Sequence, residues 1–236
     1  MAAILPDFAE HPSAVRESST ISRRGETLPV SRPRPGSEPV HLLVDGTGLR
    51  LCGPGEWLVE KHAAKVRRSW RKLHIGVDAD DTGEIIAAEL TSKDVDDGSQ
   101  VGALLEQIAG PVASFTGDGA YDRDDVYREV CQRHPDAAVI VPPRSSAVPS
   151  ATAETAPTKR DRHLQLIAER GRMGWQRASG YNWRALVEAD IGRYKRVIGD
   201  ALRSRTEGRQ TTEVAIAVAS LNRMLELGRP EYVRLP

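Results

Sequence analysis

Two aspartates stand where a carboxylate can do chemistry. Asp45 follows the apolar run HLLV and Asp118 follows ASFTG, and each is followed by a glycine. Both read as acids at the ends of predicted strands. In an open α/β sheet, strand ends are where ligands and metals gather. Two half-desolvated carboxylates there repel, and a cation between them removes the repulsion. Either aspartate alone reads as well as a turn cap, because Asp-Gly is a common turn dipeptide. The third acid is Glu188, within YNWRALVEADIGRYK. Arg184, Glu188 and Lys195 are spaced i, i+4 and i+11, three turns along one helical face. That stripe by itself is also what an ordinary salt-bridged surface looks like.

The elements that must carry these residues follow from periodicity. PVHLLVDGTGL predicts a buried strand ending in a tight turn. WRKLHIGVDA and EIIAAELT alternate like strands, joined by the turn DDTG. DVDDGSQVGALLEQIAG predicts a capped helix, PVASFTGDGAYD a strand and glycine turn, RDDVYREVCQRH an amphipathic helix, and AAVIVPP a strand stopped by two prolines. The order is β-β-β-α-β-α-β. Three further helices are predicted: RHLQLIAERGR, NWRALVEADIGRYKRVIGDALRSR, and TTEVAIAVASLNRMLELG ending at Gly228. Residues 144–160 are rich in Ser, Thr, Ala and Pro and predict a long mobile loop. Residues 1–38, rich in Pro, Gly, Ser and Arg before the first strand, predict an arm or linker, leaving 39–236 as the domain.

The bulk composition sets limits. The 236 residues suffice for one large α/β domain or a medium domain with a tail, and 39% hydrophobic content can build its core. With 33 basic and 33 acidic side chains the formal charge is zero, which argues mildly against a dedicated nucleic-acid-binding domain. The two cysteines, Cys52 and Cys131, form no C-x-x-C pair, so no zinc or redox signature exists. No apolar run approaches the roughly 18 residues of a membrane span. No signal peptide is legible, and the expected location is the cytoplasm.

The spacing Y-x2-R-x3-E-x6-K, formed by Tyr181, Arg184, Glu188 and Lys195, combines with the two upstream aspartates and the D-G-A-Y-D turn. So combined, the chain resembles the DDE transposases of bacterial insertion sequences, in the broad IS-four/IS-five group. VDGTGL, RRSWRKLHIGVD, PPR and YNWRALVEADIGRYKRVIG share the likeness, which runs from about Ser19 to Pro236. The resemblance implies an α/β, ribonuclease-H-like mixed sheet with additional C-terminal helices. It implies that Asp45, Asp118 and Glu188 are the catalytic, metal-holding triad, and that Tyr181, Arg184 and Lys195 contact DNA phosphates. Carboxylates without thiols select a hard ion, so Mg²⁺ is the expected cofactor, with Mn²⁺ able to substitute. The reaction implied is metal-dependent phosphodiester hydrolysis followed by strand transfer.

The expected partner is double-stranded DNA, at insertion-sequence ends and at the target, with a homodimer as the assembly and no membrane. A basic stretch with Trp70 in its midst supports DNA contact, and Lys65, Arg67, Arg68, Arg71 and Lys72 are its candidate phosphate ligands. The bland alternative is a set of solvated faces. His62 and His74 read as polar surface, Asp190 as a solvated or capping acid, and Asp94, Asp96 and Asp97 as helix-capping acids. Trp175 and Trp183 read as core or loop anchors. Members of the family usually begin with a helical end-recognition domain, and only about forty residues precede the first strand here. The chain therefore reads as truncated. Two further readings stay open: a non-mobile remnant that binds DNA without full transposition, and a ribonuclease-H-like nuclease.

Overall fold

The computed structural model describes residues 25–26, 28–30, 38–51, 70–79 and 83–228. The first strand, β1 (Val40–Leu51), buries Val40, Leu42 and Val44 on one face and Leu43 and Leu49 on the other, as a strand covered on both sides does. It pairs antiparallel with β2 (Trp70–Asp78), which pairs antiparallel with β3 (Ile85–Ser92). On its other side β1 runs parallel to β4 (Val112–Thr116), and β4 to β5 (Ala138–Ile140). The spatial order is β3-β2-β1-β4-β5, a mixed sheet with an antiparallel half and a parallel half. The predicted element order holds.

Helix α1 (Val101–Leu105) and α2 (Asp124–Arg133) cover one face. They pack with Val40, Leu42 and Val44, the even-numbered residues of β1. The opposite face belongs to α4 (Ala185–Val197) and α5 (Glu207–Glu226), which pack with Leu43, Leu49, Leu73 and Ile75. Asp45 shares the odd-numbered face with Leu43, so β1 directs it towards α4. Helix α3 (Lys159–Ser179) lies beyond β5, where its His163 Nε2 meets the Val139 carbonyl at 2.6 Å. The outer edge of β3 is closed by side-chain amides. Asn222 of α5 accepts from Ile85 N at 3.0 Å and donates to Ile85 O at 2.8 Å, and Gln107 accepts from Ala88 N at 3.1 Å.

Four expectations need correction. First, β1 does not stop at Asp45 but continues through Gly46 and Gly48 to Leu51. These glycines answer close approach rather than a turn. A Cβ on Gly46 would stand 2.3 Å from Asp97 Oδ1, and one on Gly48 would stand 3.2 Å from the Trp70 ring. Second, α3 is longer than RHLQLIAERGR and runs to Ser179, broken at Gly171, whose φ of 70° is left-handed. Third, the next helix stops at Val197. After Gly199 the chain forms β6 (Ala201–Leu202), which pairs parallel with Arg50 and Leu51. Fourth, residues 144–158 are tied down. Asp161 accepts from Ser150 N at 2.7 Å, and with Thr158 it forms a reciprocal cap at the start of α3.

Candidate active site

The site opens where β1 and β4 part. Their register pairs Leu43 with Thr116, after which β4 ends and β1 continues. Asp45 and Asp118 each lie two residues beyond that pair, so parallel strands bring them side by side. Asp118 Oδ1 accepts from Ala120 N at 2.8 Å and caps its own turn. Asp45 Oδ1 accepts from Gly46 N at 2.8 Å. Each carboxylate thus spends one oxygen on the backbone and leaves Oδ2 for a cation.

That cation is Arg184. It closes the short 3-10 turn Tyr181–Arg184 that leads into α4. Its Nη2 lies 3.1 Å from Asp45 Oδ2 and 3.8 Å from Asp118 Oδ2, and its Nη1 donates to Glu188 Oε1 one helical turn on. The three acids expected together therefore surround one guanidinium. Among the described residues, no three of the His, Cys, Asp and Glu side chains stand close enough together to hold a metal ion. Exposure is graded: the side chains of Asp45, Asp118 and Glu188 are 18%, 39% and 56% accessible. Burial pushes the Asp45 carboxyl above its ordinary range, and Asp118 and Glu188 push the same way against Gly46 N–H and Arg184.

Of the other expected DNA contacts, Tyr181, Lys195, Arg71 and Lys72 are among the described residues. Tyr181 is half-buried beside the acids, its ring 5.2 Å from that of Trp175. Lys195 lies two turns past Glu188, about 10 Å along α4, and its charge acts on Asp200. Lys65, Arg67, Arg68 and His62 lie outside the described residues, as does Cys52. Arg71 and Lys72 are not the free cations the basic stretch implied. Arg71 pairs with Glu207 at the start of α5, and Lys72 Nζ lies 2.6 Å from Asp97 Oδ2. Strand alternation sends these neighbours to opposite faces.

Several partners were missed or misread. Asp97 does not cap α1; Asp96 does the local capping, accepting from Ser99 N at 3.2 Å. Asp97 instead joins Lys72 and His74, whose Nδ1 lies 2.9 Å from Asp97 Oδ1. Burial pushes the Asp97 carboxyl up, but His74 and Lys72 together hold it below its ordinary range. His74 is fully buried, contrary to the surface reading, and shares the face of Lys72 at i, i+2, the signal that could have linked them. Tyr121 is buried, and its hydroxyl has no hydrogen-bond partner among the described residues. Burial raises that hydroxyl's pKa well beyond its ordinary value, and Asp97, Asp45 and Asp118 raise it further. Asp190 is buried and paired with Arg193 at 3.0 Å, not solvated.

A family profile described as "Transposase DDE domain" matches residues 36–223. The chain belongs to that family. Among solved structures, it is similar to a piggyBac transposase in a synaptic complex with hairpin DNA, studied by cryo-EM. Identity there is 12% and the TM-score 0.33, over 84% of this chain and 55% of that one. The chain thus spans about half the length of that transposase. The mixed sheet with its C-terminal helices is consistent with the ribonuclease-H-like fold expected for a transposase DDE domain. No helix among the described residues is long and apolar enough to cross a membrane.

Proposed function

We propose that this chain is the catalytic core of a bacterial insertion-sequence transposase of the IS-four/IS-five group, with Asp45, Asp118 and Glu188 as its catalytic acids. The observation that carries the reading is the convergence of these three carboxylates on one guanidinium, where β1 and β4 separate. The Y-x2-R-x3-E-x6-K spacing supports the finer group.

The donor set fits a hard divalent ion. Every donor is a carboxylate oxygen, and Asp45 sits where burial disfavours a charge that a cation would restore. Mg²⁺, or Mn²⁺ in its place, would be held by Asp45, Asp118 and Glu188. Bound there, it would lower the pKa of an attacking water or 3′-OH and relieve charge on the leaving oxygen. The chain's own residues do the rest. Gly46 N and Ala120 N hold the inner carboxylate oxygens and leave both Oδ2 atoms to Arg184 Nη2, at 3.1 and 3.8 Å. Glu188, on the first turn of α4, is the most exposed of the three acids. Arg184 and Tyr181 lie beside the acids as phosphate contacts, with Lys195 further along the helix.

Double-stranded DNA is the substrate in this reading, and two element ends call for a homodimer. The unit 39–236 acts as one ribonuclease-H-like catalytic domain in the cytoplasm, with 1–38 as an arm. The test uses a labelled duplex with a pre-nicked end. Glu188→Gln should abolish Mg²⁺- and Mn²⁺-dependent cleavage, a loss of at least about 10³-fold, while DNA affinity stays within about threefold of the parent. A Glu188→Gln protein that cuts as well as the parent would remove the triad and the mechanism with it. A parent that binds duplex and never cuts would leave a binding remnant.

A further inference from the structure

All the ion pairs of Asp45, Asp118 and Glu188 recorded among the described residues are made by one group, the guanidinium of Arg184. The other neighbouring cations are committed elsewhere. Lys72 is held by Asp97, Arg193 by Asp190, and Arg160 by Asp122. Arg144 donates to the carbonyls of Gly119 and Ala120. Arg184 is also largely withdrawn from water, with a side-chain accessibility of 17%, so its charge is poorly screened. Its Nε has no hydrogen-bond partner among the described residues.

We propose that Arg184 is an internal counter-cation that competes with the divalent ion for the three acids and so sets how tightly the triad takes metal. The inference rests on the reading of Asp45, Asp118 and Glu188 as metal ligands and deepens it. Three carboxylates cannot satisfy a guanidinium and a divalent ion at the same point, because the two cations repel. Metal uptake therefore costs the charge-assisted bonds from Arg184 to Asp45 and Glu188. A phosphodiester oxygen is the chemistry that offers Arg184 an equivalent partner, since the planar fork matches phosphate as well as carboxylate. Linkage then follows: an anion that draws Arg184 away raises metal affinity by the factor by which metal raises anion affinity. Metal without DNA would bind weakly, and metal with DNA well.

The experiment is a Mn²⁺ titration of the full chain without DNA, following the free-ion electron spin resonance signal. Arg184→Gln should bind Mn²⁺ about ten- to a hundredfold tighter than the parent, the worth of the charge-assisted bonds no longer broken. Arg184→Lys, which keeps one charge and loses the fork, should fall between them and serves if the glutamine variant folds poorly. Adding a short blunt duplex should tighten Mn²⁺ binding in the parent and change it much less in Arg184→Gln. Equal or weaker Mn²⁺ binding in Arg184→Gln overturns the proposal, as does absence of binding in both proteins. If Asp45→Asn and Glu188→Gln each weaken the parent's Mn²⁺ binding while Arg184→Gln does not tighten it, the triad reading stands and the competition fails. If Asp45→Asn combined with Arg184→Gln keeps the tight site, the ion lies elsewhere and both readings fail.

Discussion

Asp45 sits where its own charge is disfavoured. Burial raises its carboxyl pKa, and Asp118 and Glu188 add repulsion that Arg184 and Gly46 N–H do not overcome. An acid with a raised folded pKa contributes stability only while protonated, and loses it as pH rises through that value. At neutral pH the native state therefore carries the Asp45 charge at a cost, which the proposed metal-binding role of the site would explain. Asp45→Asn, measured without divalent ions at pH 7, should raise the melting temperature by about 1–3 °C. Addition of Mg²⁺ should stabilise the parent and leave the variant largely unchanged. Equal metal-induced shifts in the two proteins would place the ion away from Asp45.

The elements that hold the site depend on a second aspartate in the D-G-A-Y-D turn. Asp122 has a fully buried side chain. It accepts from Arg160 Nε at 2.6 Å and Nη2 at 3.0 Å, and from Arg144 N at 2.8 Å. One carboxylate thus ties the Asp118 turn to α3 and to the loop between β5 and α3. Burial works against its charge, but Arg160 and Arg144 hold its pKa below the usual range. Asp122→Ala leaves Arg160 unpaired and should cost about 2–3 kcal/mol in urea unfolding, just below the range for a fully buried pair because Arg160 is partly exposed. The same change should loosen Asp118 and lower cleavage more than DNA binding. A loss under about 0.5 kcal/mol, the size of an ordinary surface substitution, would show that the tie is not structural.

Across the whole molecule, acid acts through groups that the fold keeps in one charge state. His163 accepts from Trp175 Nε1 at 2.8 Å on Nδ1, so Nε2 carries the proton that meets Val139 O. Protonating Nδ1 would set two N–H groups against each other. Burial lowers its pKa below the ordinary 6.5, against the smaller opposing effects of Val139 and Asp122. A depressed histidine binds fewer protons folded than unfolded, so stability is present above pH 6.5 and is lost as pH falls below it. His134 shifts in the same direction. Asp97, Asp122 and Asp161, all lowered, lose their contribution only below their ordinary 3.8, whereas Asp45, Asp190 and Glu84, all raised, regain stability on protonation. The melting temperature should therefore fall as pH drops below 6.5, and His163→Gln should flatten that slope. An unchanged slope in the variant would assign the effect to another group.

The sequence by itself determined the element order and the helical spacing of Arg184 and Glu188. Alternation in VHLLV and WRKLHIGV, the prolines after AVIV, and the spacing from Arg184 to Glu188 are local signals, and local signals are carried by side-chain period and turn chemistry. Only the tertiary structure decided what surrounds those acids. Strand β6 pairs with β1 at Arg50 and Leu51, and its two residues carry no periodicity that could announce it. Lys72 and Arg71 read as one basic stripe along the chain, yet the pleat separates them and long-range carboxylates claim each. The same holds for Arg184. Its spacing to Glu188 is legible, but its reach to Asp45, 139 residues away in the chain, follows from the parting of β1 and β4. Charge pairing between distant residues depends on distance and burial, and neither is written in the order of the chain.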